Sequence, residues 1–134
     1  MSLIEWDNSK YSVGFVDIDN QHKVLVNILN KLHDAMREGK GKEQIEKTLN
    51  DLIEYTKTHF AFEENLMNLH NYPEINAHKK DHSDLIQSIR DFQQKLNSNS
   101  ITLTLEVKNF LRDWLLIHIG KRDKDLGIFL KSNI

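Results

Sequence analysis

His78-Lys79-Lys80-Asp81-His82 places two histidines four residues apart, in the middle of a run with helical periodicity. On an α-helix with about 3.6 residues per turn, this spacing stacks both imidazoles on one face, one turn apart. Neighbouring apolar residues share that face: Ile75, Leu85, Ile89, Phe92 and Leu96. Such a stripe is typical of the buried seam of a helical bundle. The two histidines should therefore point inward, where metal binding is the leading reason to keep a pair of nitrogen ligands.

The composition indicates one soluble domain. The chain has 134 residues, 39% of them hydrophobic, which is enough for a single sizeable core. Acidic and basic residues nearly balance, 20 against 18, which argues against a nucleic-acid partner. The absence of cysteine excludes disulfides and thiolate ligands, so any metal must be held by nitrogen and oxygen.

The sequence has no signal for export or membrane insertion. Its N-terminus lacks the basic start and apolar core of a signal peptide, and no stretch approaches about 18 uninterrupted apolar residues. We therefore expect a cytoplasmic protein without a membrane partner.

The periodicity of apolar residues predicts an all-α fold, an up-down-up-down antiparallel four-helix bundle in a single domain, 1–134. The expected helices cover about 20–38, 43–71, 74–96 and 101–119, preceded by an N-terminal arm (1–18) and followed by a short helix (about 123–131). Asp19 or Asn20 should cap the first helix, and Gly39 and Gly41 should end it. Pro73 should end the second helix and open the third.

Each predicted helix carries inward-facing donors. They are His22 on the first, His59 and Glu63 on the second, His78 and His82 on the third, and His118, followed by Asp123, on the fourth. Antiparallel helices bring these positions to one end of the bundle. Five imidazoles and two carboxylates are too many for one tetrahedral zinc ion, so we expect two metal ions, with iron ahead of zinc. His33 and His70 lie about 16 Å further along their helices and should not join the site.

Simpler interpretations exist for single members of this set. His22 alone could be a capping or partly exposed histidine, and His59 with Glu63 could be a hydrogen-bonded pair on a solvated face. His118 and Asp123 are five residues apart, which on a regular helix separates them by roughly 140°. The helix must therefore end or bulge between them, and Gly120 is a plausible place for this.

The ligand pattern, taken together, closely resembles the hemerythrin family, in particular the single-domain bacteriohemerythrins. The resemblance covers essentially the whole chain. It includes Asp19-x-Gln21-His22, Tyr72-Pro73, Trp114-Leu115-x-x-His118-Ile119 and Asp123-Lys124-x-Leu126-Gly127.

The resemblance implies a specific di-iron site. His78, His82 and His118 would bind one iron, and His22 and His59 would bind the other. Glu63 and Asp123 would bridge the two irons together with a solvent-derived oxo or hydroxo group. One coordination position would stay open on the iron with two histidines. The implied oxygen pocket consists of Leu25, Phe60, Trp114, Leu115 and Ile119.

The function implied is reversible dioxygen binding for storage, transport or delivery to an unidentified protein recipient, without enzymatic turnover. An oxygen-sensing or redox-sensing module is an alternative, and so is a di-iron enzyme with oxidase, peroxidase or nitric-oxide-scavenging activity. Ferritin-like oxidases have more carboxylate and fewer histidine ligands than this sequence offers, which favours binding over turnover.

Overall fold

Four long helices pack around one apolar core. The computed structural model describes residues 4–38, 42–97 and 103–133. Its elements are α1 (Asn8–Tyr11), α2 (Val16–Arg37), α3 (Lys42–Leu69), α4 (Ile75–Asn97), α5 (Leu103–His118), a π-helical turn (Ile119–Asp123) and α6 (Lys124–Asn133). Helix α2 packs against α3 and α5, and α4 also packs against α3 and α5, which closes the bundle. The described residues contain no strand, so the predicted all-α bundle is confirmed.

The start of the first long helix differs from the prediction. Helix α2 begins at Val16, with Phe15 in the capping position, so the expectation that Asp19 or Asn20 caps this helix was wrong. The Asp19 carboxylate instead accepts hydrogen bonds from the backbone N–H of Val13 (2.8 Å) and the hydroxyl of Ser12 (2.6 Å). Asp19 therefore fastens the preceding arm to α2. That arm also contains the single helical turn α1, which the sequence did not predict.

The predicted end of the second long helix before Pro73 is confirmed, but Pro73 does not open the next helix, since α4 begins at Ile75. Helix α3 ends at Leu69, and Asn71 adopts the left-handed conformation with φ of 54°. The backbone N–H of Tyr72 donates to the Met67 carbonyl, and that of Asn71 donates to Asn68. These two bonds form a Schellman motif, which satisfies carbonyl groups at the end of the helix. Gly39 and Gly41, the predicted stop of the first long helix, lie outside the described residues.

The arm and α6 cover the end of the bundle. Leu126 and Leu130 of α6 are fully buried, as is Ile18 at the start of α2. Gly127 permits the close approach of α6 to the arm, because a Cβ at this position would collide with the carbonyl oxygen of Val13. None of the helices in the described ranges is long and apolar enough to cross a membrane.

Candidate metal centre

Seven candidate ligands converge inside this end of the bundle. Each is at most 5% exposed, and they are His22, His59, Glu63, His78, His82, His118 and Asp123. All four long helices and the π-helical turn contribute at least one of them. His33 and His70 belong to neither of the two ligand groups that the described residues form here.

The Glu63 carboxylate lies between two groups of imidazoles. Its Oε1 atom faces Nε2 of His78 (3.2 Å) and Nε2 of His82 (3.1 Å). Its Oε2 atom faces Nε2 of His22 (3.5 Å) and Nε2 of His59 (3.1 Å). One carboxylate thus offers a different oxygen to each group.

Asp123 divides its oxygens in the same way. Its Oδ1 atom lies 3.0 Å from Nε2 of His78 and 3.1 Å from Nε2 of His118. Its Oδ2 atom lies 2.9 Å from Nε2 of His22. Asp123 and Glu63 therefore belong to both ligand groups, in each of which the ligand atoms lie within 4.8 Å of one another. This is the arrangement expected of two carboxylates that bridge a pair of metal ions.

The chemistry of the cluster fits metal ions. Although its buried ligand atoms lie close to one another, several of them make no contact with the geometry of a hydrogen bond: Nε2 of His22, His82 and His118, Oε2 of Glu63 and both carboxylate oxygens of Asp123. Such atoms are rare in folded proteins because an unsatisfied buried polar group is costly. Imidazole and carboxylate ligands in this proportion suit first-row transition metals. The residues thus form a buried cluster consistent with a metal site.

The π-helical turn places Asp123 beside His118. The backbone N–H of Lys124 donates to the carbonyl of Ile119, five residues earlier, which widens the turn relative to an α-helix. Residues five apart can then face the same side, so of the two predicted alternatives, a helix end or a bulge between His118 and Asp123, the structure contains the bulge. Glycine is not required there, since a Cβ on Gly120 would meet no atom within 4 Å.

Two imidazoles of the cluster favour the protonated form when no metal is bound. Burial lowers the pKa of His22, but the negative charges of the adjacent Asp123 and Glu63 carboxylates outweigh it and raise the pKa to about 9. The same two carboxylates outweigh burial at His78 and raise its pKa to about 9. Protons on these rings therefore balance the buried carboxylates.

The carboxylates are correspondingly held in the ionised form. Burial raises the pKa of Glu63, but His59 and His22 together hold it well below its usual range. Burial and the charge of Glu63 raise the pKa of Asp123, yet His118 and His22 hold that pKa below its usual range as well. The cluster thus presents two anionic ligands to any incoming cation.

Outer hydrogen bonds orient some of the imidazoles. The Nδ1 atom of His59 lies 2.6 Å from Oε1 of Gln21, and that of His82 lies 3.1 Å from Oε2 of Glu64. Partners of this kind fix the ring orientation and raise the basicity of the ligating nitrogen. Sequence reasoning gave Gln21 and Glu64 no role. Gln21 adjoins His22 in sequence but pairs with His59, so no local pattern could reveal this contact.

Aromatic rings stack on two of the imidazoles. The Phe60 and His82 rings are parallel within 3°, with centroids 3.5 Å apart. The Trp114 and His118 rings are parallel within 14°, with centroids 4.4 Å apart. Both stacks lie on the side of the cluster that has three histidines.

A small cavity of about 30 Å³ adjoins the cluster. Four of the five residues predicted for an oxygen pocket line it, namely Leu25, Phe60, Trp114 and Leu115. Ile119 is buried but is not a lining residue. Thr56 lines the cavity and was not predicted to do so, although its position on the α3 seam, three residues before His59, was the available signal. The volume is sufficient for one small molecule, because a water needs about 10–15 Å³.

Fold and cluster together define a class: a helical bundle with a buried metal site of nitrogen and oxygen ligands between its four helices. The family model described as the hemerythrin HHE cation binding domain matches residues 13–127. The chain therefore belongs to the hemerythrin family, which confirms the resemblance seen in the sequence.

Individual relatives agree with this assignment. A bacteriohemerythrin from Methylococcus capsulatus is 35% identical over 132 residues, which cover 98% of this chain and 100% of that protein. A bacteriohemerythrin from Pseudomonas aeruginosa is 36% identical over 127 residues, which cover 95% of this chain and 80% of that protein. A crystal structure described as wild-type hemerythrin superposes with a TM-score of 0.85 at 34% identity, over 96% of this chain and 98% of that one.

Proposed function

We propose that this protein binds dioxygen reversibly at a di-iron centre, for storage, transport or delivery. His78, His82 and His118 would hold one iron, His22 and His59 would hold the other, and Glu63 and Asp123 would be shared between them. Iron of this kind supplies the electrons that dioxygen binding requires. The relatives named bacteriohemerythrin support the choice of iron over zinc.

The position of the cavity is the observation that carries this proposal. The group with three histidines offers five protein ligands, and the group with two histidines offers four. Both members of the smaller pair, His22 and His59, line the cavity, whereas only His118 of the three histidines in the larger group does. Free space therefore adjoins the group that has one ligand fewer, where a small molecule can complete the coordination.

The walls of the cavity suit binding without turnover. Its lining is mostly apolar, with Leu25, Phe60, Trp114 and Leu115 next to the ligands. Such side chains exclude water and withhold protons, which protects a bound molecule from reaction. Gln21 and Glu64 contribute by fixing the rings of His59 and His82.

The assignments of the protein to the cytoplasm and of residues 1–134 to a single domain stay predictions.

A visible spectrum tests the proposal. The protein is loaded with ferrous iron without air, exposed to oxygen and then purged with inert gas. We expect two irons per chain and a charge-transfer band that appears with oxygen and fades on purging. Direct conversion to an oxidised form that purging does not reverse would overturn reversible binding and favour redox sensing or oxidase chemistry.

Two variants connect that spectrum to the assigned ligands. His59→Ala removes a ligand of the iron next to the cavity and should abolish the band. His33→Ala removes a histidine outside the cluster and should leave iron content and spectrum unchanged. An unaltered band in His59→Ala would contradict the assignment of this ligand.

A further inference from the structure

An ion pair joins the π-helical turn to helix α4. The Nε atom of Arg122, in the turn, donates to Oδ2 of Asp81, in α4, at 2.7 Å. Asp81 lies between His78 and His82 in the chain, and Arg122 directly precedes Asp123. The pair therefore links the segment that carries one bridging carboxylate to the helix that carries two imidazoles.

The same carboxylate oxygen also faces a third element. Oδ2 of Asp81 lies 3.9 Å from Nδ1 of His118, at the end of α5. This distance is beyond a direct hydrogen bond but within electrostatic reach of the ring. Asp81 thus stands where α4, α5 and the π-helical turn meet, on the outer side of the group with three histidines.

We propose that Asp81 and Arg122 form a clasp that positions Asp123 and His118 relative to the histidines of α4. Both are positioning residues, because they act on the metal site through the ligands beside them. A π-helical turn is a local departure from α-helical geometry, so a side-chain link to a neighbouring helix can decide where its last residue lies. The inference rests on the proposed metal-binding function.

We expect the clasp to affect the positions of Asp123 and His118 more than the free energy of unfolding of the protein. The side chains of Arg122 and Asp81 are 39% and 32% exposed, and ion pairs this close to solvent contribute little to folding. Lys80 and Asp84 form a matched comparison in the same helix, at 2.9 Å and with greater exposure. That pair lies within α4 and links it to no other element.

The test compares Asp81→Asn, Arg122→Gln and the double variant with Lys80→Gln and Asp84→Asn. In the metal-free protein, the backbone amides of residues 119–124 should exchange hydrogen faster in the clasp variants and at the wild-type rate in the controls. In protein loaded with ferrous iron, release to a chelator should be about tenfold faster in each clasp variant, because loss of an outer partner typically lowers metal affinity about 10–100-fold and this loss should appear in the dissociation rate. The double variant should release iron no faster than either single variant.

Wild-type exchange and release in Asp81→Asn and Arg122→Gln would overturn the clasp. Equal acceleration in the Lys80 and Asp84 variants would overturn it too, since any surface charge would then suffice. Additive effects in the double variant would mean that the two residues act separately. The amide exchange of metal-free protein does not depend on dioxygen, so the clasp and the proposed function can fail independently.

Discussion

Phe60 covers the outer face of His82, with their ring centroids 3.5 Å apart, and it also forms part of the cavity wall. Phe60→Leu keeps an apolar side chain but removes the stack. We expect the free energy of unfolding of the metal-free protein to fall by about 1 kcal/mol. Iron release should also accelerate, because the imidazole loses a contact that fixes its orientation.

Phe92→Leu is the matched control for this substitution. Phe92 contacts Phe110 edge to face, with centroids 5.4 Å apart, and neither residue touches a candidate ligand through a ring contact. Urea denaturation should show a similar loss of stability, while iron release stays at the wild-type rate. Equal release rates in Phe60→Leu and Phe92→Leu would show that the stack does not orient His82.

Gln21→Leu should weaken metal binding although Gln21 is not a candidate metal ligand. Gln21 bonds Nδ1 of His59, whereas Nε2 of that ring faces the cluster. The substitution leaves Nδ1 of His59 buried without its partner, which costs about 1–3 kcal/mol. Loss of such an outer partner typically lowers metal affinity about 10–100-fold. Competition with a chelator measures this, and Gln93→Leu is the control because Gln93 bonds Asn50 at the surface. Wild-type affinity in Gln21→Leu would contradict a role in orienting His59.

Metal loading at pH 7 should release protons. His22 and His78, with pKa values of about 9, are protonated in the metal-free protein, whereas a metal ion requires their neutral rings. Calorimetry in buffers of different ionisation enthalpy counts the protons released, and the count should fall as pH rises through 9. A count that is independent of pH would contradict the raised pKa values.

The metal-free protein should be most stable in mildly acidic solution. The raised pKa values of His22 and His78 contribute stability that is complete below about 6.5 and is lost as pH rises through about 9. The lowered pKa values of Glu63 and Asp123 contribute stability that is present above their ordinary values of 4.5 and 3.8 and is lost as pH falls below these. Urea titrations from pH 4 to 10 measure this, and a maximum above pH 9 would contradict it.

Two glycines near the C-terminus should respond to alanine in opposite ways. In Gly127→Ala the new methyl group meets the Val13 carbonyl, so α6 and the arm must separate, and we expect a loss of about 1–3 kcal/mol. Gly120→Ala meets nothing within 4 Å and should gain about 0.4–1 kcal/mol by restricting the unfolded chain. Thermal denaturation of the metal-free variants compares them. A stable Gly127→Ala would contradict the close approach of α6.

Helical periodicity predicted much of this structure because several candidate ligands are spaced by one turn of an α-helix. His78 and His82 share a face by their spacing alone, and the angular mismatch of His118 and Asp123 required the helix either to end or to bulge, of which the structure contains the bulge. Contacts between helices were not predictable in this way. Gln21 meets His59 across 38 residues of chain, and periodicity carries no information about such pairs.

The sequence signal for a helix cap also failed, because the Asp19 side chain could bond either a helix N-terminus or the preceding arm. Asp19 has the chemistry of a helix cap, but α2 begins earlier, at Val16, and the Asp19 carboxylate bonds the arm at Val13 and Ser12. Similarly, the position of a residue on a buried helix face does not show whether that residue lines a cavity. Thr56 lines the cavity, whereas Ile119 is buried without lining it.

The π-helical turn amounts to one inserted residue within a continuous helix from α5 to α6. Each residue advances an α-helix by about 100°, so if the same five residues adopted regular α-helical geometry, everything downstream would rotate by about that angle. Asp123 would leave the ligand cluster, and Leu126 and Leu130 would turn away from the core together. The π-helical turn therefore links completion of the metal site to the packing of α6 on the end of the bundle. A change in its geometry that removed Asp123 from the cluster would also remove Leu126 and Leu130 from the core.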